Sequence, residues 1–160
     1  MTDTLSRVQR SDRMRRVRQH GTALELAVRR GLHKRGLRYR IGDKELPGRP
    51  DIVFPAYKVA LFVHGCFWHG HSCRLGRLPT TNIEFWKGKI DANRERDARK
   101  QTELETLHWR VLTVWQCQIS RADAREAVLD EIAAMIKKSD RMQGPRSRKR
   151  GNSNKRRVHR

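Results

Sequence analysis

The ten residues HGCFWHGHSC, 64–73, hold three histidines and two cysteines beside a phenylalanine and a tryptophan. Thiolates and imidazoles at this density are the ligands of a transition metal. A neutral imidazole left over is the side chain best suited to move a proton near neutral pH. The chain has one further cysteine, Cys117. Cys66, His71, Cys73 and Cys117 together make the Cys3His set of a closed structural zinc site, with His69 able to replace His71. The spacing C-x4-H-x-C is not that of a standard finger, and the plain alternative is three buried reduced cysteines with surface histidines. A closed site has no open position for a substrate, so zinc here would pin the loop to Cys117. The odd cysteine count argues against a disulfide framework.

His64 and His69 then remain for acid–base chemistry. Asp51 follows LPGRP and opens an apolar stretch. A carboxylate at a strand end can hold Mg2+, which keeps several waters and also takes phosphate oxygens. It can equally do no more than bond the preceding turn. Asp97 and Glu25 are each one acid on a highly charged helix, where most such side chains are solvated. Phe67 and Trp68 sit among ligand residues, and Trp86 follows Phe85. These rings either pack around the loop or form a wedge that unstacks a base step, at lower cost where the pair is mismatched.

The elements that must position these residues follow from periodicity. Residues 22–36, TALELAVRRGLHKRG, are expected to form a helix capped by Thr22, with Leu24, Ala27, Val28 and Leu32 on its apolar face, Glu25 at the border and Gly36 as the stop. Strands are expected at 51–54 and 59–64, joined by PAYK. In that register residue 54 faces 59 and 51 faces 62, so Asp51 and His64 share a face as diagonal neighbours roughly 7–8 Å apart. A long charged helix over 81–107 offers Phe85, Ile90, Leu104 and Leu107. WRVLTVWQC, 109–117, reads as a buried strand that ends at Cys117 and places Trp109 and Trp115 in the core. RADAREAVLDEIAAMIKK is an amphipathic helix with Ala127, Val128, Ile132 and Ile136 on its face. The order predicts one mixed α/β domain, a central sheet flanked by helices, over residues 21–138. Residues 1–20, with six arginines and Met14, read as a basic arm that is disordered or ordered by its partner. Residues 139–160 read as a basic, disordered tail.

The formal net charge is +20. Such an excess calls for a polyanion, with nucleic acid ahead of an anionic membrane surface. No apolar run approaches the roughly 20 residues that span a bilayer. The opening residues carry no apolar signal segment, so the expected compartment is the reducing cytoplasm. Without a coiled-coil repeat, a monomer is expected.

LPGRPDIVF, FVHGCFWHGHSC, EFWKGKIDANRERDAR and WRVLTVWQC, in this order from about Arg10 to Lys138, resemble the very short patch repair (Vsr) mismatch endonucleases of bacteria. The resemblance implies a restriction-endonuclease-like fold and a Mg2+-dependent nick 5′ of the thymine in a T:G mismatch, the lesion left when 5-methylcytosine deaminates. It implies Mg2+ on Asp51 and the backbone carbonyl of Val63, and His69 as general base oriented by Asp97. His64 would assist at the scissile phosphate and Glu25 would complete the site. It implies zinc on Cys66, His71, Cys73 and Cys117. Phe67, Trp68 and Trp86 would intercalate from the major groove, and Met14 would enter from the minor groove. A nucleoid-associated cytoplasmic enzyme with a MutL-type partner is the corresponding setting. Family members often have threonine where this chain has Val63, and a histidine run where it has HGHSC. The usual second carboxylate and lysine of restriction-type sites are missing from LFVHG, so histidine must do their work. The competing readings are a zinc-stabilised DNA-binding module without nuclease activity and a restriction-type nuclease that cuts both strands.

Overall fold

Thr22 starts the first helix for a local reason. Its backbone is extended, its hydroxyl accepts from the Glu25 N–H (3.2 Å), and the Glu25 carboxylate accepts from the Thr22 N–H (3.4 Å) and hydroxyl (3.1 Å). This capping box satisfies donors that the first helical turn leaves open. Helix α1, Ala23–Lys34, stops where Gly36 takes φ +81°. The Gly36 and Leu37 N–H groups then return to the His33 and Leu32 carbonyls (2.9 and 3.2 Å), a Schellman closure that glycine permits. Thr22→Ala is expected to cost about 1 kcal/mol, read as a lower urea midpoint at unchanged slope. The structure is a computed structural model that describes residues 22–138; the arm with Met14 and the tail 139–160 lie outside the described residues.

Strand β1, Ile52–Phe54, pairs antiparallel with β2, Val59–His64, and β2 pairs parallel with β3, Arg110–Trp115. Ile52 faces Leu61 and Phe54 faces Val59, the register expected from PAYK. The hairpin closes through a short 3-10 turn, Pro55–Tyr57, with Lys58 left-handed at φ +52°. A parallel pair needs a long crossover, and helix α2, Ile83–Thr106, supplies it. Helix α3, Gln116–Ile119, and helix α4, Ala122–Lys138, follow β3. The sheet is thus three-stranded and mixed, with order β1-β2-β3.

The core gathers Leu32 and Leu37 after α1, Phe54 and Leu61 from the sheet, and Ile119, Leu129 and Ile136 from the C-terminal helices. Helices α1 and α4 approach closely at Gly31, where a Cβ would lie 2.3 Å from Leu129 Cδ1. Among the described residues no helix is long and apolar enough to cross a membrane.

Several expectations are corrected. The buried face of α4 is Leu129, Ile132, Ala133 and Ile136, so Ala127 is exposed; contact with α1 at Gly31 sets this rotation. Phe85 and Leu107 are exposed rather than core, because α2 is ringed by charge and buries only Trp86, Ile90 and Leu104. Strand β3 lies at the sheet's edge, so Trp109 and Trp115 are half-buried; Lys58 Nζ covers the Trp109 ring at 4.8 Å. Cys117 belongs to α3, not to the end of the strand.

Candidate active site and metal centre

Asp51 stands just before β1, and its Oδ2 accepts the Val63 backbone N–H at 2.8 Å. This bond ties the open end of the hairpin. The Val63 side chain packs against the core, so it is the backbone of Val63 that meets Asp51. A side-chain change from threonine to valine at that position is compatible with this geometry.

Next along β2, His64 stacks on His69 with ring centroids 3.7 Å apart and planes within 6°. Burial first, then the neighbouring His69, pushes His64 down to about 4 against the opposing pull of Asp97. Its ring is therefore neutral near pH 7. His69 Nδ1 meets Asp97 Oδ2 at 2.5 Å, both side chains half-buried. Asp97 reaches the loop from α2, and so does Asn93 one turn earlier, whose amide donates to the Trp68 carbonyl at 2.9 Å. Residues four apart share a helix face, so one stripe of α2 holds both the backbone and the base of the loop.

The donor atoms of His64, His69 and Asp97 lie within 4.8 Å of one another. Nearly parallel stacked rings aim their in-plane lone pairs side by side rather than at one point, and Nδ1 of His69 is committed to Asp97. The trio is built as a carboxylate-oriented imidazole, the arrangement of a general base.

Glu25, expected at the border of its helix, is 2% exposed. Arg29, one turn on, is 9% exposed; its Nη2 donates to Glu25 Oε2 at 2.8 Å and reaches the Asp51 carbonyl oxygen at 3.5 Å. Contacts therefore run from Glu25 through Arg29 to Asp51, then to Val63, His64, His69 and Asp97. Sequence reasoning missed Arg29 and Asn93. Asn93 had one faint signal, its spacing of four from Asp97; Arg29 had none beyond its spacing of four from Glu25.

The second cluster is separate. Cys66, His71, Cys73 and Cys117 bring their donor atoms within 4.8 Å of one another. Cys117 Sγ lies 3.6 Å from His71 Nδ1, and the Cys117 N–H donates to Cys66 Sγ at 3.3 Å. Tetrahedral zinc, with Zn–S about 2.3 Å and Zn–N about 2.0–2.1 Å, needs donors about 3.3–3.8 Å apart. The donor set and spacing fit such an ion. His71, not His69, faces the sulfurs. Burial pushes the Cys66 thiol up to about 12, while the hydrogen bond with His71 brings half-buried Cys73 down to about 6. Trp115 joins the clusters: it stacks on His71 (4.3 Å, 25°) and meets His64 edge-on (5.3 Å, 73°).

Gly76 closes this loop. A Cβ there would lie 1.9 Å from the His71 carbonyl oxygen and 3.2 Å from that of Cys66. Gly76→Ala must therefore spread the backbone that carries two of the four donors. The variant is expected to retain less metal and to melt at lower temperature than wild type, checked by elemental analysis with a thermal scan.

The aromatics form one cluster. Phe67 lies 5.1 Å from Trp68 and 5.2 Å from Trp86, and Trp86 lies 6.1 Å from Trp68 and 5.2 Å from Phe85. Phe67 and Trp68 are half-exposed. Trp86 is 8% exposed and backs the other rings, whereas Phe85 is 61% exposed with Lys89 over its face at 6.0 Å.

A family model for the DNA mismatch endonuclease Vsr matches residues 2–75. The type II nicking enzyme V.XorIIP of Xanthomonas oryzae pv. oryzae is 52% identical over 132 residues, covering 82% of this chain and 97% of that protein. The type II nicking enzyme V.NmeAIP of Neisseria meningitidis serogroup A is 44% identical over 138 residues, 86% of this chain and 98% of that protein. The DNA mismatch endonuclease Vsr of Escherichia coli is 44% identical over 131 residues, 82% of each chain. With a carboxylate-held histidine beside Asp51 and relatives matched over nearly their full length, the chain belongs to the Vsr family of DNA mismatch endonucleases.

Proposed function

We propose that this endonuclease nicks one strand of duplex DNA 5′ of the thymine in a T:G mismatch, the first step of very short patch repair after 5-methylcytosine deaminates. The observation that carries the reading is the His69–Asp97 pair, 2.5 Å apart, stacked on His64 at the end of the strand whose Val63 N–H bonds Asp51. With its Nδ1–H given to Asp97, His69 keeps the Nε2 lone pair and takes the proton of the attacking water. Asp97 then stabilises the imidazolium that results. His64, held neutral by burial, offers the scissile phosphate a hydrogen bond rather than a charge. Asp51 and the Val63 backbone carbonyl are the oxygen donors that would hold Mg2+, and hard oxygen ligands suit that ion. When bound, Mg2+ supplies charge stabilisation at phosphorus. Glu25 completes the carboxylate side of the site.

In the same reading Cys66, His71, Cys73 and Cys117 hold a structural zinc that fixes the loop carrying His69. Phe67 and Trp68 wedge into the base stack from the major groove with Trp86 behind them. Met14, outside the described residues, enters from the minor groove on the basic arm. The hairpin, crossover helix and mixed sheet support a restriction-endonuclease-like core, acting as a monomer in the cytoplasm with a MutL-type protein as its repair partner. Each phosphate contact from the basic tail would steepen the salt dependence of binding.

The test uses end-labelled duplexes that differ only in T:G or T:A at one position, in several methylation-site contexts, with Mg2+ or chelator. A single nick 5′ of the mismatched thymine, with Mg2+ alone, is expected. Equal nicking of the T:A duplex would overturn the mismatch specificity, cleavage in chelator the metal requirement, and scission of both strands of a matched site would favour a restriction-type nuclease.

A further inference from the structure

Arg29 is a buried guanidinium for which neither the fold nor the proposed chemistry has yet a use. Among the described residues its Nε is the one buried side-chain nitrogen or oxygen without a hydrogen-bond partner. A buried polar group left unpaired costs free energy, and replacing a buried ion pair by apolar side chains is often neutral or stabilising. Stability alone is therefore a poor reason for Arg29 and Glu25 to face each other inside α1.

Its placement offers another reason. Nη2 donates to Glu25 Oε2 at 2.8 Å and points to the Asp51 carbonyl oxygen at 3.5 Å. Glu25 is held from its other side by the Thr22 cap. One guanidinium nitrogen thus spans the first turn of α1 and the residue that opens β1.

We propose that Arg29 is a positioning residue for the nicking reaction: it clamps the Glu25 carboxylate beside Asp51 and offsets part of the negative charge that the two acids concentrate at the site. The inference rests on the reading of Asp51 and Glu25 as the site carboxylates. Lysine would keep the charge but carries it on a flexible point-charge ammonium rather than on a rigid planar guanidinium.

The test compares full-length wild type with Arg29→Met, Arg29→Lys, Glu25→Gln and the double variant. Three quantities are measured: kcat on a T:G duplex, affinity for that duplex in chelator, and Mn2+ binding to the free protein by electron paramagnetic resonance. Arg29→Met is expected to lower kcat and Mn2+ affinity by about ten- to a hundredfold, the usual effect of removing a group that orients a metal ligand, with duplex affinity unchanged. Arg29→Lys is expected to fall between. Arg29→Met with wild-type kcat and wild-type Mn2+ binding would overturn the clamp. Should Arg29→Met fail to fold because the buried Glu25 loses its counter-charge, the double variant removes both charges. The clamp then predicts kcat and Mn2+ affinity equal to those of Glu25→Gln alone, and a further tenfold loss would overturn it. Wild-type nicking in chelator overturns the Mg2+ reading and this proposal together. Mg2+-dependent wild type with an unaffected Arg29→Met overturns this proposal alone.

Discussion

Asp51→Ala is expected to abolish nicking and to leave duplex binding in place. The carboxylate stands at the open end of the β1–β2 hairpin, with Oδ2 held by the Val63 N–H at 2.8 Å. Without it, in the proposed reading, the site would lose its principal hard oxygen donor, and with that the cation that would neutralise charge at phosphorus. A cation of this kind is worth several kcal/mol in the transition state. At about 1.4 kcal/mol per tenfold, the rate falls by about three orders of magnitude or more. In that reading binding rests on other groups, the cationic excess of a chain with net charge +20 and the cluster of rings around Phe67 and Trp68. Removing a negative charge also weakens repulsion of the phosphates, so affinity stays equal or rises. Single-turnover nicking and a gel-shift titration in chelator read the two quantities separately. Asp51→Asn keeps an acceptor for the Val63 N–H and is expected to be as inactive as alanine, which separates loss of charge from loss of the hairpin bond. Wild-type nicking by either variant would remove Asp51 from the chemistry.

The second large effect is on the fold of the loop. Purified protein is expected to carry one zinc per chain, and Cys73→Ser or prolonged chelation is expected to lower the melting temperature sharply and stop nicking. Four donors within 4.8 Å of one another bring three sulfurs and an imidazole together in a loop without regular secondary structure. Residues 65–73 contribute no strand and only turns. In structural sites the metal's binding free energy is folding free energy, about 10–16 kcal/mol in isolated finger peptides, and a part of that lost is enough to unfold a marginally stable region. Catalysis falls with it because Trp115 touches both His71 and His64, and because His69 lies between Cys66 and His71. Folded protein free of metal, with Cys73→Ser melting as wild type does, would count against a structural metal.

Two kinds of information separate in this chain. Features governed by neighbours in sequence were legible: the Thr22 cap, the Gly36 stop, the 54-to-59 hairpin register and the long charged helix. Each depends on side-chain chemistry or periodicity within one or two turns of chain. The residue types of HGCFWHGHSC likewise announced a metal and a base without any structure. Only the tertiary structure decided between His71 and His69 at the sulfurs, because the deciding contacts, His71 to Cys117 and His69 to Asp97, cross 46 and 28 residues. It also buried Glu25 with Arg29, set Asn93 beneath the loop and turned α4 to bury Leu129. The rings show the difference most plainly. Phe85 and Trp86 are adjacent in sequence, yet one is exposed and the other buried. Local propensity makes both parts of one helix, but which side faces the protein is set by the packing of the loop against α2, and no spacing within the helix records that.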